Sequence, residues 1–481
     1  MFVFKNNTNM MSMQDIILLE IKEFNSSDKR NLMITGQKYY DVENDILDRK
    51  IVRYSDRGYE EDKCKANNKL VHAFMKNLVD EKVGYLLSKP FSLDGENKDY
   101  IQKIRAILGK NLQYEISKMG NEVSNKGIGY WYIYIDEAGN FKYMKMPAEQ
   151  CIPIWKDNSH TELQAMIRYY VQIEYEGKQK KEVTKVEYYT EDTVEYFVLN
   201  DNKLIYDIEV EPEGGPVPHY KKGEEARSWG RVPFVVFKNN DSEYPDIKFV
   251  KSLIDDYDKR RSDISNVLEE CKNFIYVLKG YGGQDLAEFI RDINYYRAIK
   301  IDDSDGGGVE ALTPKIDVEA AKLHLEQIKR DIKEFGQSVN MDLDKMGSAP
   351  SGIALKFLYS GLDLKCNKLE LEFKNSWEHL LYFANIYLAE TGQGNYSNED
   401  VEIVFNRDIA INETEAISNC VNSKDVISDE TIIANHPWVN DPEQELERLN
   451  KQKEENLKKQ QEAFGINIEQ QASGGDDEVD E

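Results

Sequence analysis

The sequence is poor in the groups that build covalent staples, metal cages and phosphate cradles. It has five cysteines in 481 residues (Cys64, Cys151, Cys271, Cys366 and Cys420), far apart and never as CxxC. That spacing excludes a disulfide scaffold and a thiolate zinc site, so each cysteine is expected to be a reduced, buried small residue. The six histidines (His72, His160, His219, His324, His379 and His436) form no HExxH pair and are expected at the surface or packed, not on a metal. Neither Gly280–Gly283 nor Gly306–Gly308 is followed by Gly-Lys-Ser/Thr, which excludes a phosphate-binding loop. Asp302, Asp303 and Asp305 begin like a calcium loop, but Leu312 and Thr313 stand where its closing glutamate belongs. No Ser/His/acid or Cys/His set assembles from the order of residues, and the chain is not expected to be an enzyme or to hold a cofactor. No stretch approaches eighteen apolar residues, so no membrane span is expected. Met1–Phe4 followed by Lys5 lacks the order of a signal peptide, which places synthesis in the cytosol.

Positive charge is also in short supply. The formal net charge is −26, and the last 41 residues, 441–481, hold 13 acids against 5 bases. The body is therefore acidic as well, which argues against tight wrapping of nucleic acid, because such binding neutralises phosphates with Lys and Arg. It does not exclude nucleic acid passing close by. Apolar content of 40% with 11% aromatics is enough for several cores in a chain of this length.

What the sequence does have is two long helical tracts, Val318–Met341 and Ser351–Glu390, separated by a short breaker. Ala321, Leu325, Ile328, Ile332, Phe335 and Val339 recur at steps of 4 and 3. Leu362, Cys366, Leu369, Phe373, Ser376, Leu380, Phe383 and Tyr387 repeat the pattern, with Ser376 the weak member. At 1.5 Å per residue the second tract would be on the order of 60 Å long. Rods of that length build assemblies or connect distant parts of one, although a helical hairpin inside a large domain has the same period.

Around these tracts the chain reads as α+β, mainly helical. Helices are expected at Gln14–Phe24, Asn67–Leu87 (ending before Pro90), Asn111–Ser124 and Asp246–Cys271, with a polar, turn-rich passage from Asn25 to Lys65. Tyr130–Ile135 and Phe141–Met146 read as a hairpin, and Leu163–Glu176, Thr184–Thr190, Thr193–Leu199 and Lys203–Ile208 as further strands before the loop Glu211–Gly223. Arg231–Asn239 is a short strand. In the 246–271 helix the polar run Asp258–Asp263 interrupts an apolar stripe and reads as a solvated face, or as a segment lining a wet channel or meeting a neighbour. Phe274–Leu278 and Tyr296–Ile301 are expected as short strands about a helical piece, Asp285–Asp292, closed by the loop Asp302–Gly308. Glu402–Phe405 is a last strand. Asn412–Ser418, where Asn412 and Glu415 fit a capping box, Asp429–Ala434 and a run from Asp441 are expected helices. The acid-rich end is expected to be disordered.

The order of several stretches carries a resemblance. They are Asn68–His72 with Tyr85–Pro90, Gly127–Gly139 leading through Met146–Gln150 to Ile152–Trp155, Trp229–Phe237, and Gly347–Phe357. Over about Leu32–Leu449 the chain resembles tailed-bacteriophage portal proteins of long-tailed phages of Gram-positive bacteria. The resemblance implies an N-terminal segment 1–29, a wing 30–245 with strand 400–406, a stem helix 246–272, a clip 273–317 and a second stem helix 318–339. It continues with a tunnel loop 340–351, a long wing helix 352–399, a crown 407–460 and an acidic tail 461–481. Such proteins form rings, twelve-fold in the virion and possibly thirteen-fold when isolated, at one capsid vertex. Double-stranded DNA enters and leaves through the ring without sequence recognition. Implied partners are a terminase packaging motor, a head-completion adaptor, and the major capsid and scaffolding proteins; assembly takes place in the host cytoplasm.

The same resemblance sets the candidate site. Asn340, Met341, Asp342, Leu343, Asp344, Lys345, Met346, Gly347 and Ser348 would face DNA. Lys259, Arg260, Arg261, Lys322, Lys329, Arg330 and Lys333 would lie on the stem, the last four pairing between subunits, and Gly361 would mark a bend in the long helix. Two other readings of the chain stay open at this stage: a phage minor head or connector protein that does not conduct DNA, and a DNA-processing enzyme that shares only the helical stem.

Overall fold

The computed structural model describes residues 11–55, 58–63, 65–270, 275–279, 285, 308–312, 318–339, 352–407, 413–439 and 442–463. Its described helices are α1 (Met13–Asn25), α2 (Asp28–Tyr40), α3 (Phe74–Leu87), α4 (Lys98–Leu108), α5 (Leu112–Lys126), α6 (Ile247–Glu270), α7 (Val318–Phe335), α8 (Gly352–Glu390), α9 (Glu413–Asn422), α10 (Asp429–Ala434) and α11 (Pro442–Ala463). Among the described residues every strand pair is antiparallel. The chain is α+β with more residues in helices than in strands.

One sheet is a meander in which strands 203–206, 193–200, 179–189, 163–176 and 151–155 pair in that order, with 217–218 added on 193–200. One face is apolar because inward residues alternate: Ala165, Ile167, Val186, Tyr188, Phe197 and Leu204 are buried with Ile17 and Ile21 of α1. A second sheet places 128–135 between 234–238 and 141–146. Its Trp131 and Phe237 join the largest core, where α3, α4, α5, α7 and α8 contribute most of the apolar side chains.

α8 crosses that core as one 39-residue helix. The stripe read from the sequence is the face it buries: Leu362, Cys366, Leu369, Phe373, Leu380 and Phe383 are all nearly inaccessible. The weak member, Ser376, is buried too, and its hydroxyl donates to the Val236 carbonyl at 2.7 Å, tying the helix to the central sheet without an orphaned polar group. Trp377 Nε1 donates to the Val401 carbonyl at 2.7 Å, holding the strand Glu402–Val404 that pairs with Ser92–Asp94. This heptad-ruled stripe is therefore intramolecular packing. α8 passes through Gly361 in helical form, and a Cβ there would meet nothing within 4 Å, so close packing does not require that glycine.

Several expectations change. The passage from Asn25 to Lys65 contains α2, capped by Ser27, whose side chain accepts from the Arg30 N–H. Its weak amphipathicity hid it; Met33, Gly36 and Tyr39 are its buried face, and a Cβ at Gly36 would lie 1.8 Å from the Asn125 carbonyl oxygen. α4 is a further helix not expected from the sequence, with Asn97 as its cap and Tyr100, Ile104 and Leu108 as its buried line. The helix expected from Asn67 starts at Phe74; residues 67–73 take no regular secondary structure. Strand Ile275–Lys279 pairs with Gly308–Leu312, residues read as the end of a loop and its sequel. α7 stops at Phe335, before the expected Met341, because Gly336 and the positive φ of Gln337 (53°) break the helix. Tyr296–Ile301, most of Asp285–Asp292, Asn412 and the tail from 464 lie outside the described residues.

Gly127 ends α5 with φ 84°, and a Cβ there would lie 2.2 Å from the Glu243 carbonyl oxygen. Gly127→Ala is expected to destabilise the fold by about 3 kcal/mol through left-handed strain and a forced backbone shift, read as a lower urea midpoint at unchanged slope.

Candidate functional site

α6 leaves the core at Ile247, reaches the strand pair 275–279/308–312, and α7 returns alongside it to the core. Ile247, Val250 and Ile254 at the start of α6, and Ile328, Ile332 and Val339 at the end of the return, are buried in the main core. Beyond Ile254 that core buries no described apolar residue of α6, but the helix stays tied to residues 44–72 as far as Asn266. Phe335, expected on the apolar stripe of the first tract, is 58% exposed. His324 Nε2 lies 3.1 Å from Asp256 Oδ2, one of the contacts between the two helices.

The polar run on α6 is not uniformly solvated. Asp258, Ser262 and Asn266, spaced four apart, are buried, and they grip the irregular segment before α3. Asp258 accepts from Asn44 Nδ2 at 2.6 Å and meets His72 Nδ1 at 2.6 Å. Ser262 Oγ accepts from the Leu70 N–H at 2.9 Å, and Asn266 Oδ1 from the Asn68 N–H at 2.6 Å. Arg49 pairs with Asp263 at 2.5 Å. Segment 67–73 stays out of the helix because α6 side chains take the Asn68 and Leu70 backbone donors. Burial raises the Asp258 carboxyl above the usual range, against the Asn44 and His72 hydrogen bonds that favour the carboxylate.

The expected stem cations lie on the other faces. Lys259, Arg260 and Arg261 are exposed. Arg260 Nε donates to Asp256 Oδ1 at 3.1 Å, and Lys322 sits 3.8 Å from Glu326 with both side chains well exposed, a pair worth little. Among the described residues, Lys259, Arg261, Lys329, Arg330 and Lys333 pair with no acid. All nine residues expected to face DNA, Asn340, Met341, Asp342, Leu343, Asp344, Lys345, Met346, Gly347 and Ser348, lie outside the described residues.

The flank of that segment is described, and sequence reasoning missed what holds it. Ser338 Oγ donates to Glu81 Oε2, and the Val339 N–H donates to Glu81 Oε1 at 3.1 Å. Lys365 Nζ of α8 donates to the Gly336 carbonyl at 2.9 Å and reaches Asp246 Oδ2 at 2.9 Å. Asp246, just before α6, also meets Lys82 Nζ of α3 at 3.2 Å and accepts from Asn239 Nδ2 at 2.9 Å. This node is buried: Asp246 is 4% exposed and Lys82 1%. Although burial opposes ionisation, Lys365 and Lys82 bring the Asp246 carboxyl down to about 2. Burial brings the Lys82 ammonium down to about 8. The base of both stem helices, α3 and α8 thus meet on one carboxylate. The only sequence signal was an acid next to Pro245 at a helix start, where a carboxylate is ordinary.

Among the described residues, no group of three or more His, Cys, Asp or Glu is placed to hold a metal, and no helix is long and apolar enough to cross a membrane. Cys151, Cys366 and Cys420 are free and buried, and burial pushes the Cys366 thiol up to about 11.

Comparison with known proteins adds a frame. A family model described as "Phage portal protein, SPP1 Gp6-like" matches residues 20–459. The portal protein of Bacillus phage SPP1 is 33% identical over 453 residues, covering 93% of this chain and 88% of its own. The portal protein of Clostridium phage phiCD119 is 32% identical over 436 residues, covering 88% of this chain and 92% of its own.

Proposed function

Because the chain belongs to the SPP1 Gp6-like phage portal protein family, we propose that it assembles into a ring at one capsid vertex. Double-stranded DNA is packaged and ejected through that ring. The observation that carries this reading is the stem: two helices, each with one end buried in the core, meeting at His324 and Asp256 and flanking in the chain a small antiparallel strand pair, with the 340–351 segment following directly after the second. In this reading the strand pair belongs to the clip, which docks the packaging motor and later the head-completion adaptor. The 340–351 segment meets the duplex, and 407–460 faces the capsid interior. Capsid and scaffolding proteins contact the outer wing.

Passage requires weak adhesion. A channel dense in fixed cations would hold phosphates, and each clamp would have to be broken at every step. Lys322, Lys329, Arg330 and Lys333 therefore pair with acids of the neighbouring subunit; the lack of an acidic partner for the last three among the described residues supports this. The protein itself is a conduit and not an enzyme.

The test is electron microscopy of the purified protein joined to a packaging assay. Closed rings of twelve or thirteen subunits, an axial hole of about 20 Å or more, no ATPase activity alone, and empty heads when the chain is omitted are the expected results. A monomer that cleaves or tightly binds DNA overturns the reading. Gly347→Pro is expected to leave rings intact and to reduce filled heads at least tenfold; normal filling removes the role given to 340–351.

A further inference from the structure

α8 is apolar on two faces. Opposite the buried core stripe, Phe357, Leu364 and Leu371 follow one another at steps of seven and are 76%, 60% and 68% exposed. Seven residues are nearly two full turns, so the three side chains lie on one line. Leu364 and Leu371 each follow a core residue, Leu362 and Leu369, by two positions, or about 200° around the helix. Single exposed leucines are ordinary; three large apolar groups in register along one helix mark a face that is covered. A helix apolar on both sides is normally buried on both sides.

The charge around the stripe indicates what covers it. The adjacent acids are neutralised within the chain: Arg407 Nη1 lies 2.8 Å from Asp363 Oδ1 and its Nη2 2.8 Å from Glu370 Oε2. The other exposed residues on this side, from Ser360 to Asn375, are Ser360, Asn367, Lys368 and Asn375, and Lys368 has no acidic partner among the described residues. In a chain of net charge −26 this strip is neutral to slightly positive. Two copies of an acidic chain repel over most of their surfaces, and they meet at least electrostatic cost where one presents such a strip.

We propose that the outer face of α8, centred on Phe357, Leu364 and Leu371, seats a second copy of this chain. The inference rests on the ring reading above and locates one half of its subunit contact. A ring of more than two copies needs heterologous contacts, so the stripe meets a different surface of the neighbour.

The test uses the full chain. Leu364→Asp combined with Leu371→Asp is expected to lower the fraction sedimenting as rings at least tenfold in analytical ultracentrifugation, with the melting temperature nearly unchanged. Rings at wild-type abundance overturn the proposal. So does a lowered melting temperature with rings retained, since the stripe is then covered by its own chain. As a second measurement that keeps the helix apolar, Leu371 is replaced by p-benzoylphenylalanine and irradiated. A covalent product of dimer mass is expected, and exclusively monomeric products overturn the contact. A wild-type chain that forms no rings overturns the ring reading itself. Wild-type rings with an indifferent double variant remove this interface alone.

Discussion

Asp246→Ala is expected to destabilise the protein by about 3–5 kcal/mol, because it leaves the buried Lys82 ammonium without a counter-charge and takes from Lys365 its buried carboxylate. Lys82→Met is expected to cost much less. It removes a desolvated charge, while Asp246 keeps Lys365 and Asn239. Urea denaturation of both variants measures the difference, and equal losses would remove the carboxylate from the centre of the node. The pH dependence has a definite sign. The folded Asp246 carboxyl is held at about 2, below its ordinary value of 3.8, so its stabilisation is complete above pH 4 and is lost as pH falls toward 2. The difference is about 2 kcal/mol. Lys82 acts the other way: its folded value of about 8 lies below the ordinary 10.5, so its cost is full below pH 8 and is relieved as pH rises toward 10.5. Acid unfolding followed by circular dichroism should therefore show a shallower acid limb in Asp246→Asn than in the wild type.

Asp258→Ala is expected to cost about 2–4 kcal/mol and to free residues 67–73 from α6. The buried carboxylate is the shared partner of Asn44 and His72, and its loss leaves Asn44 only the longer bond to the His72 carbonyl and the His72 ring without this partner. Hydrogen exchange separates this from a general loss of stability. The Leu70 and Asn68 amides, which donate to Ser262 and Asn266, should exchange faster by more than the global change accounts for. Ser262→Ala should expose the Leu70 amide alone. Because the folded Asp258 value is raised, its protonation favours the folded state as pH falls, so Asp258→Asn should show a slightly steeper acid limb than the wild type.

What the sequence makes legible follows from what repeats. The α8 stripe, the 128–146 hairpin and the long strands of the meander were readable because their apolar periods of about 3.5 or 2 extend over many residues. α2 and α4 escaped because each lies in a polar stretch whose short buried line (Met33, Gly36 and Tyr39; Tyr100, Ile104 and Leu108) does not extend into a longer repeat. The irregular 67–73 segment escaped for a different reason. Leu70 and Phe74 continue the helical spacing of α3, but partners nearly 200 residues away claim the backbone donors, and no local pattern records them. Asp258 and Ser262 looked like a solvated face because a buried hydrogen-bonded stripe and an exposed one use the same residue types. The node at Asp246 joins residues from 82 to 365 and has no sequence period at all. The family itself was legible, because order and spacing over hundreds of residues survive where single motifs do not.

The Arg407 clamp has a mechanical consequence. Its guanidinium grips Asp363 and Glu370, two turns apart on α8, at the point where the chain leaves the core toward α9, α10 and α11. A displacement of those C-terminal helices therefore reaches α8 through Arg407, and both ion pairs must give before the chain parts from the helix at this point.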